Sequence, residues 1–373
     1  MQPPAPRSLS LAHRAGRRLA AALLALVALL VPLPGAAAQA AAAGATDAGA
    51  PFKLRVVGGL AGITQYTQLE APFWTRDLPR LSGGRFTADI VPFDRAGVPG
   101  SEMLRLLHLG VVPFGTVLMS SLSAQHPFYT AADLPGLNPD MAALRATLAA
   151  VRPALEQALR SEQGIEPLAL YVYPAQVLFC RERLRGLADL RGRVVRVSSA
   201  AQGDFMAALG AKPRLVPFAQ MVAGVESGAL DCAVTAAMSG NVLGLHQHTA
   251  YLYPMPITWG LALFGANQAA WQALPQELRT LLRAQLPRLE TAIWLSAEEE
   301  TANGLACNTG SSRCTSGRRG AMTLVPVSAQ DEARRAELLR SAVLPRWRER
   351  CGARCAGLQL GGPGAGSPAP GKP

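Results

Sequence analysis

The chain has 373 residues and a formal charge of +11, with 49% hydrophobic and 16% charged residues. That length suits two domains. Lysines and arginines are scattered rather than gathered into a patch interleaved with aromatics, which argues against nucleic-acid binding.

The N-terminus carries Arg7, Arg14, Arg17 and Arg18, then an apolar run from Leu19 to Leu33. Ala36-Ala37-Ala38-Gln39 follows as a small-x-small cleavage site. These features predict a secretory signal peptide over 1–38. An uncleaved membrane anchor is the alternative, although the run is short for a span of roughly 20 residues. Loss of its four arginines takes the charge from +11 to +7. Residues 39–51 read as a flexible mature N-terminus. Beyond the signal no stretch is long and apolar enough to span a bilayer, which predicts a soluble exported protein.

Globular patterning begins at Phe52. Strands are expected over Phe52–Val57, Phe86–Phe93 and Val111–Met119, with helices near Gln65–Leu81 and from Ser101 to Gly110 between them. This is the grammar of a parallel α/β domain. Asp140 caps a helix that Gly164 ends, and a strand follows over Pro167–Val172. A second unit contains strands Val177–Cys180, Val194–Val197, Pro213–Val216 and Asp231–Thr235. Helices Ala201–Leu209 and Phe218–Ser227 lie between its later strands. Tyr171-Val172-Tyr173-Pro174 reads as a crossing segment, and Ile257–Phe264 as one returning strand. A very long helix starts at Pro275, with a possible kink at Pro287. Met322–Val327 is a late strand and Gln330–Arg350 a final amphipathic helix. The tail 356–373 is rich in Gly and Pro and has no means of forming a core.

The pattern predicts an α/β, two-lobed clamshell with crossing connections and a long C-terminal helix. Its expected lobes are 52–173, completed by about 261–300, and 174–260, completed by about 301–355.

Six cysteines in an exported chain invite disulfides. Cys307 with Cys314, and Cys351 with Cys355, are close enough to close small rings. A zinc site is the alternative for these four, although the spacing lacks a CxxC pair. Cys180 and Cys232 lie in strand-like runs and are expected to be buried free thiols.

Catalytic signatures are absent: there is no GxSxG, HExxH, P-loop or GxGxxG after a strand. His246 and His248 point apart on a helix, so a shared metal would need a strand or loop there. A binding module needing no cofactor or metal is therefore the leading class, and an exported enzyme the alternative. The residue that asks for an explanation is Arg196, between Val195 and Val197. Strand alternation places Val194, Arg196 and Ser198 on one face. In open α/β sheets ligands bind off the carboxyl ends of strands. Arg196 lies near such an end, and its planar fork suits a carboxylate. A lobe-spanning salt bridge is the alternative.

Several segments resemble the solute receptors of tripartite ATP-independent periplasmic (TRAP) transporters, the dicarboxylate-receptor-like family. Asp189-Leu190-Arg191-Gly192-Arg193-Val194-Val195-Arg196-Val197 is similar to their D-L-K-G-x-K-x-R-V segment. Val216-Pro217-Phe218 through Gly228-Ala229-Leu230-Asp231 resembles F-x-E-x-x-x-A-L-x-x-G-x-V-D-G, with Cys232 in place of the final glycine. Leu81-Ser82-Gly83-Gly84-Arg85-Phe86, Gly100-Ser101-Glu102-Met103, His126-Pro127-Phe128 and Asn267 to Leu278 match further motifs in order.

The resemblance runs from about Phe52 to Gln285. It implies a periplasmic, monomeric, non-enzymatic receptor that captures a small organic acid and hands it to TRAP membrane permease subunits. A sensor-kinase-coupled receptor is a further alternative. By this resemblance Arg196 grips the ligand carboxylate. Gln176 stands where sialic-acid receptors of the family carry a second arginine, and Thr235 stands at a usually polar position. Ser120, Trp259 and Gly59 complete the expected ligand set, with Ala236 and Met238 as apolar lining or core.

Overall fold

The computed structural model describes residues 51–358 and 360. The expected signal peptide, nearly all of the expected flexible N-terminus and most of the 356–373 tail lie outside them.

Eleven strands form two sheets among the described residues. The first holds β1 (Phe52–Gly58), β2 (Phe86–Pro92), β3 (Phe114–Leu118), β4 (Ile165–Val172) and β10 (Leu261–Asn267), in the order β2-β1-β3-β10-β4. The second holds β5 (Gln176–Cys180), β6 (Val194–Val197), β7 (Lys212–Leu215), β8 (Cys232–Ala236), β9 (Tyr251–Thr258) and β11 (Thr323–Leu324). Its order is β11-β9-β5-β8-β6-β7. Strand β1 alternates, burying Leu54 and Val56, whereas β8 is buried throughout. The difference follows from position, because a strand covered on both faces has no solvent side to keep polar.

The fold is the expected two-lobed α/β type, but neither sheet is purely parallel. Strand β10 runs antiparallel to β3 and β4, and β5 runs antiparallel to β8 and β9. These are strands next to the crossings, where the chain leaves one sheet and enters the other from the opposite side. The single returning strand expected over Ile257–Phe264 is in fact two strands. Strand β9 ends at Thr258 in the second sheet and β10 starts at Leu261 in the first. Gly260 between them has φ +84°, a conformation side-chain-bearing residues rarely adopt. The late strand is also shorter than expected, pairing with β9 only at Thr323 and Leu324.

The helix Gln276–Asn308 runs through Pro287 and braces both sheets. Near its middle, Trp294 Nε1 donates to the Leu170 carbonyl of β4 (2.8 Å), and Glu290 accepts from Leu170 N (2.9 Å). Near its end, Asn308 Nδ2 donates to the Ala237 carbonyl (2.9 Å), just after β8. Gly304 permits this approach: a Cβ there would lie 2.4 Å from Met238 N and 2.6 Å from Ala237 C.

Three disulfides are formed and no described cysteine is free. Cys307 pairs with Cys314 and Cys351 with Cys355. The free thiols expected at Cys180 and Cys232 are instead bonded to each other. The two residues stand directly opposite on antiparallel β5 and β8, with Cα atoms 4.1 Å apart. Facing residues at that separation bring their side chains together. The 52-residue separation gave no local sign of this.

Two outcomes follow from this packing. Non-reducing peptide mapping should recover a Cys180–Cys232 link; a freely alkylated Cys180 would contradict the register of β5 and β8. Gly304→Ala should lower the urea midpoint. Alanine gains about 0.5–1 kcal/mol of helix propensity, but overpacking against rigid backbone costs about 1–3 kcal/mol. A stabilised variant would show that the helix does not press on Ala237 and Met238.

Candidate functional site

Strand β6 begins where Asp231 Oδ2 accepts a hydrogen bond from Val194 N (2.7 Å). It lies between β8 and β7, so Arg196 stands at an interior position, one residue from the strand's end. The side chain is 4% exposed. Nε donates to the Val216 carbonyl (3.0 Å) and Nη1 to the Val234 carbonyl (2.6 Å). The guanidinium is thus clamped between the chain just past β7 and strand β8. It forms no ion pair with any described carboxylate, so the lobe-spanning salt bridge is not formed. Burial lowers its pKa to about 10, which leaves it charged at neutral pH.

Arg196 faces a cavity of about 60 Å³ between the two sheets. The first sheet and its connections supply Leu60, Leu118, Ser120, Tyr173 and Leu261; Gln176 and Thr235 come from the second. Arg196, Gln176, Thr235 and Ser120 therefore converge on one space, together with Ala236 from the expected apolar lining. Trp259 and Gly59 do not line it. Trp259 is turned away, its Nε1 donating to the Asn138 carbonyl (3.1 Å), and its amide donates to Asp133 Oδ1 (2.9 Å). Gly59 lies behind the wall, its amide donating to Glu70 Oε2 (2.8 Å). Met238 does not line the cavity either.

Three polar residues that the sequence did not single out hold this geometry. Gln202 is 1% exposed; its Nε2 donates to Gln176 Oε1 (3.0 Å) and Thr258 Oγ1 (2.8 Å), and its Oε1 accepts from Ser198 N (2.8 Å). It ties β5, β9 and the end of β6 together. The legible signal was Ser199-x-x-Gln202, a capping pattern in which Ser199 Oγ does accept from Gln202 N (3.1 Å). Asp133 accepts from the amides of Trp259 and Gly260 (2.9 and 2.6 Å), pinning the crossing between β9 and β10. Glu70 is fully buried and accepts from Gly59 N and from Thr116 Oγ1 (2.6 Å). It lies in a π-type turn, Gln65–Glu70, of the helical stretch that ends at Leu81. The cleft is bridged where Ala200 N donates to Ser123 Oγ (2.9 Å). Among the described residues no group of three or more His, Cys, Asp or Glu is placed to hold a metal.

Two sheets joined by crossing strands, with a charged, apolar-walled cavity between them, define a two-lobed solute-binding protein. The family model for "Bacterial extracellular solute-binding protein, family 7" (DctP) matches residues 61–307, and the chain belongs to that family. It is a family of receptors for solutes and not of enzymes. No curated protein matches the chain. Solved structures share the fold at low identity. DctP7 of Bordetella pertussis, an extracytoplasmic solute receptor binding pyroglutamic acid, is 22% identical with a TM-score of 0.72; the match covers 81% of this chain and 96% of that one. A TRAP periplasmic solute-binding protein of Desulfovibrio salexigens with bound orotic acid is 16% identical with a TM-score of 0.71 (81% and 94% covered). One from Shewanella oneidensis with bound succinate is 18% identical, also at 0.71 (81% and 96% covered).

Glu70 provides a test of the wall behind the cavity. Burial outweighs its two hydrogen bonds and raises its pKa from 4.5 to about 7. Below pH 4.5 both folded and unfolded chains hold this proton. Between 4.5 and about 7 only the folded chain does, so its contribution to stability is lost as pH rises through that window. Urea stability should fall from pH 5 to pH 7.5, with part of the fall due to Asp133, whose pKa burial also raises to about 7. Glu70→Gln, able to accept from Gly59 and donate to Thr116, should make the fall shallower. An unaltered slope would show that Glu70 is ionised throughout.

Proposed function

We propose that this protein is a periplasmic receptor that closes on the carboxylate of a small organic acid and delivers it to TRAP membrane permease subunits. The observation that carries this reading is the charge state of the cavity. Arg196 is buried, held at two nitrogens by backbone carbonyls, and is paired with no described carboxylate. A buried cation without a counterion is costly, and a bound acid supplies the missing charge. The relatives described as binding pyroglutamic acid, orotic acid and succinate support an acid as the ligand class.

In this reading the carboxylate meets the free N–H groups of Nη1 and Nη2, because Nε is engaged by Val216. Ser120, Gln176 and Thr235 orient the rest of the ligand. The lobes are 52–173 with about 261–300, and 174–260 with about 301–355. They pivot at the crossings near Tyr173 and Trp259–Gly260, where Asp133 holds the chain. The predicted signal peptide supports export, and the receptor acts as a monomer.

Titration calorimetry with the acid released from freshly purified protein, identified by mass spectrometry, tests this. A hydrogen bond to a charged group contributes about 1.5–3 kcal/mol, and about 1.4 kcal/mol is one decade in affinity. Arg196→Ala should therefore weaken binding at least tenfold. Arg196→Lys should also bind poorly, since an ammonium cannot span both backbone carbonyls and the ligand. Gln176→Ala should cost less. A folded Arg196→Ala variant that binds as well as wild type would refute the proposal.

A further inference from the structure

The polar groups around the cavity define the charge the ligand can carry. Among the described residues that line it, Arg196 is the one charged side chain. The two nearby buried carboxylates are committed elsewhere: Glu70 to Gly59 and Thr116, and Asp133 to Trp259 and Gly260. Neither is among the lining residues, although Asp133 borders a smaller neighbouring cavity that shares Ser120 and Leu261. The remaining polar contributors are neutral. Gln176 has its Oε1 occupied by Gln202, which leaves its amide N–H₂ as a donor beside Gly260. Ser120, Thr235 and Ser239 supply hydroxyls that donate or accept. Leu60, Leu118, Phe218 and Leu261 supply apolar wall.

One cation neutralises one anion. A second carboxylate enclosed here would lose its hydration with only neutral donors to replace it, and an ammonium would find no free carboxylate. Resting on the receptor reading above, we propose that the ligand is a compact monoanion. Its one carboxylate sits on Arg196 and its remainder is neutral, bearing amide, carbonyl or hydroxyl groups. Dicarboxylates and zwitterionic amino acids are excluded by charge, not by shape.

Isosteric pairs separate charge from shape. Glutaramate and glutarate differ by a carboxamide in place of a carboxylate; lactate and alanine differ by a hydroxyl in place of an ammonium. Calorimetry at pH 7.5 on the wild-type mature protein should show glutaramate binding at least 30-fold tighter than glutarate, and lactate at least tenfold tighter than alanine. Gln176→Arg adds a second cation beside the first and should shift the glutaramate-to-glutarate ratio at least tenfold toward glutarate. Suppose instead that glutarate binds within threefold of glutaramate and Arg196→Ala abolishes both. The monoanion assignment then falls while the receptor reading stands. If Arg196→Ala leaves the affinities unchanged, the receptor reading itself fails and this assignment with it.

Discussion

A guanidinium buried near the end of β6, anchored to two backbone carbonyls and without a counterion among the described residues, is the constraint around which the cleft is organised. Arginine in a protein interior is normally paired, because removing its charge from water costs more than hydrogen bonds to neutral groups return. Arg196 is kept in place by the carbonyls of Val216 and Val234, from segments on either side of its own strand. Those contacts fix its orientation within the folded chain, so the entropic cost of ordering this long side chain falls on folding.

Three buried polar groups around the cavity spend their hydrogen bonds on holding the surrounding chain in place. Gln202 joins β5, β9 and the end of β6 through three partners; Asp133 binds two successive amides at the crossing; Glu70 binds the amide of Gly59 behind the cavity wall. These three groups are thereby partnered, and each fixes a segment that borders the cavity. The outcome is a pocket with one unspent charge. Specificity in such a pocket comes as much from what is left unpaired in the wrong ligand as from contacts to the right one.

Around this site, the helix Gln276–Asn308 and the Cys180–Cys232 bond act at different ranges. The helix contacts β4 of the first sheet and Ala237 beyond β8 of the second, so it braces both while the crossings carry the chain between them. The disulfide ties β5 to β8 at the end of their pairing opposite Gln176 and Ala236, away from the cavity.

Local chemistry was legible along the chain. Asp140 and Gly164 do bound the helix Met141–Gln163, with Asp140 Oδ1 accepting from Ala143 N (2.8 Å) and Gly164 at φ +58°. The apolar runs marked most of the strands, and the arginine late in one of them lines the cavity between the sheets. Such features depend on neighbours within a few residues, which a sequence displays directly. Strand direction at the crossings, the pairing of Cys180 with Cys232, the division of 257–264 into two strands and the turning away of Trp259 were not legible. Each depends on which distant segment comes to lie alongside, through partners at least 52 residues away. The sequence by itself determined that Arg196 had to be accounted for. Only the tertiary structure decided that no described carboxylate reaches it, because that depends on where Glu70 and Asp133 find their hydrogen bonds.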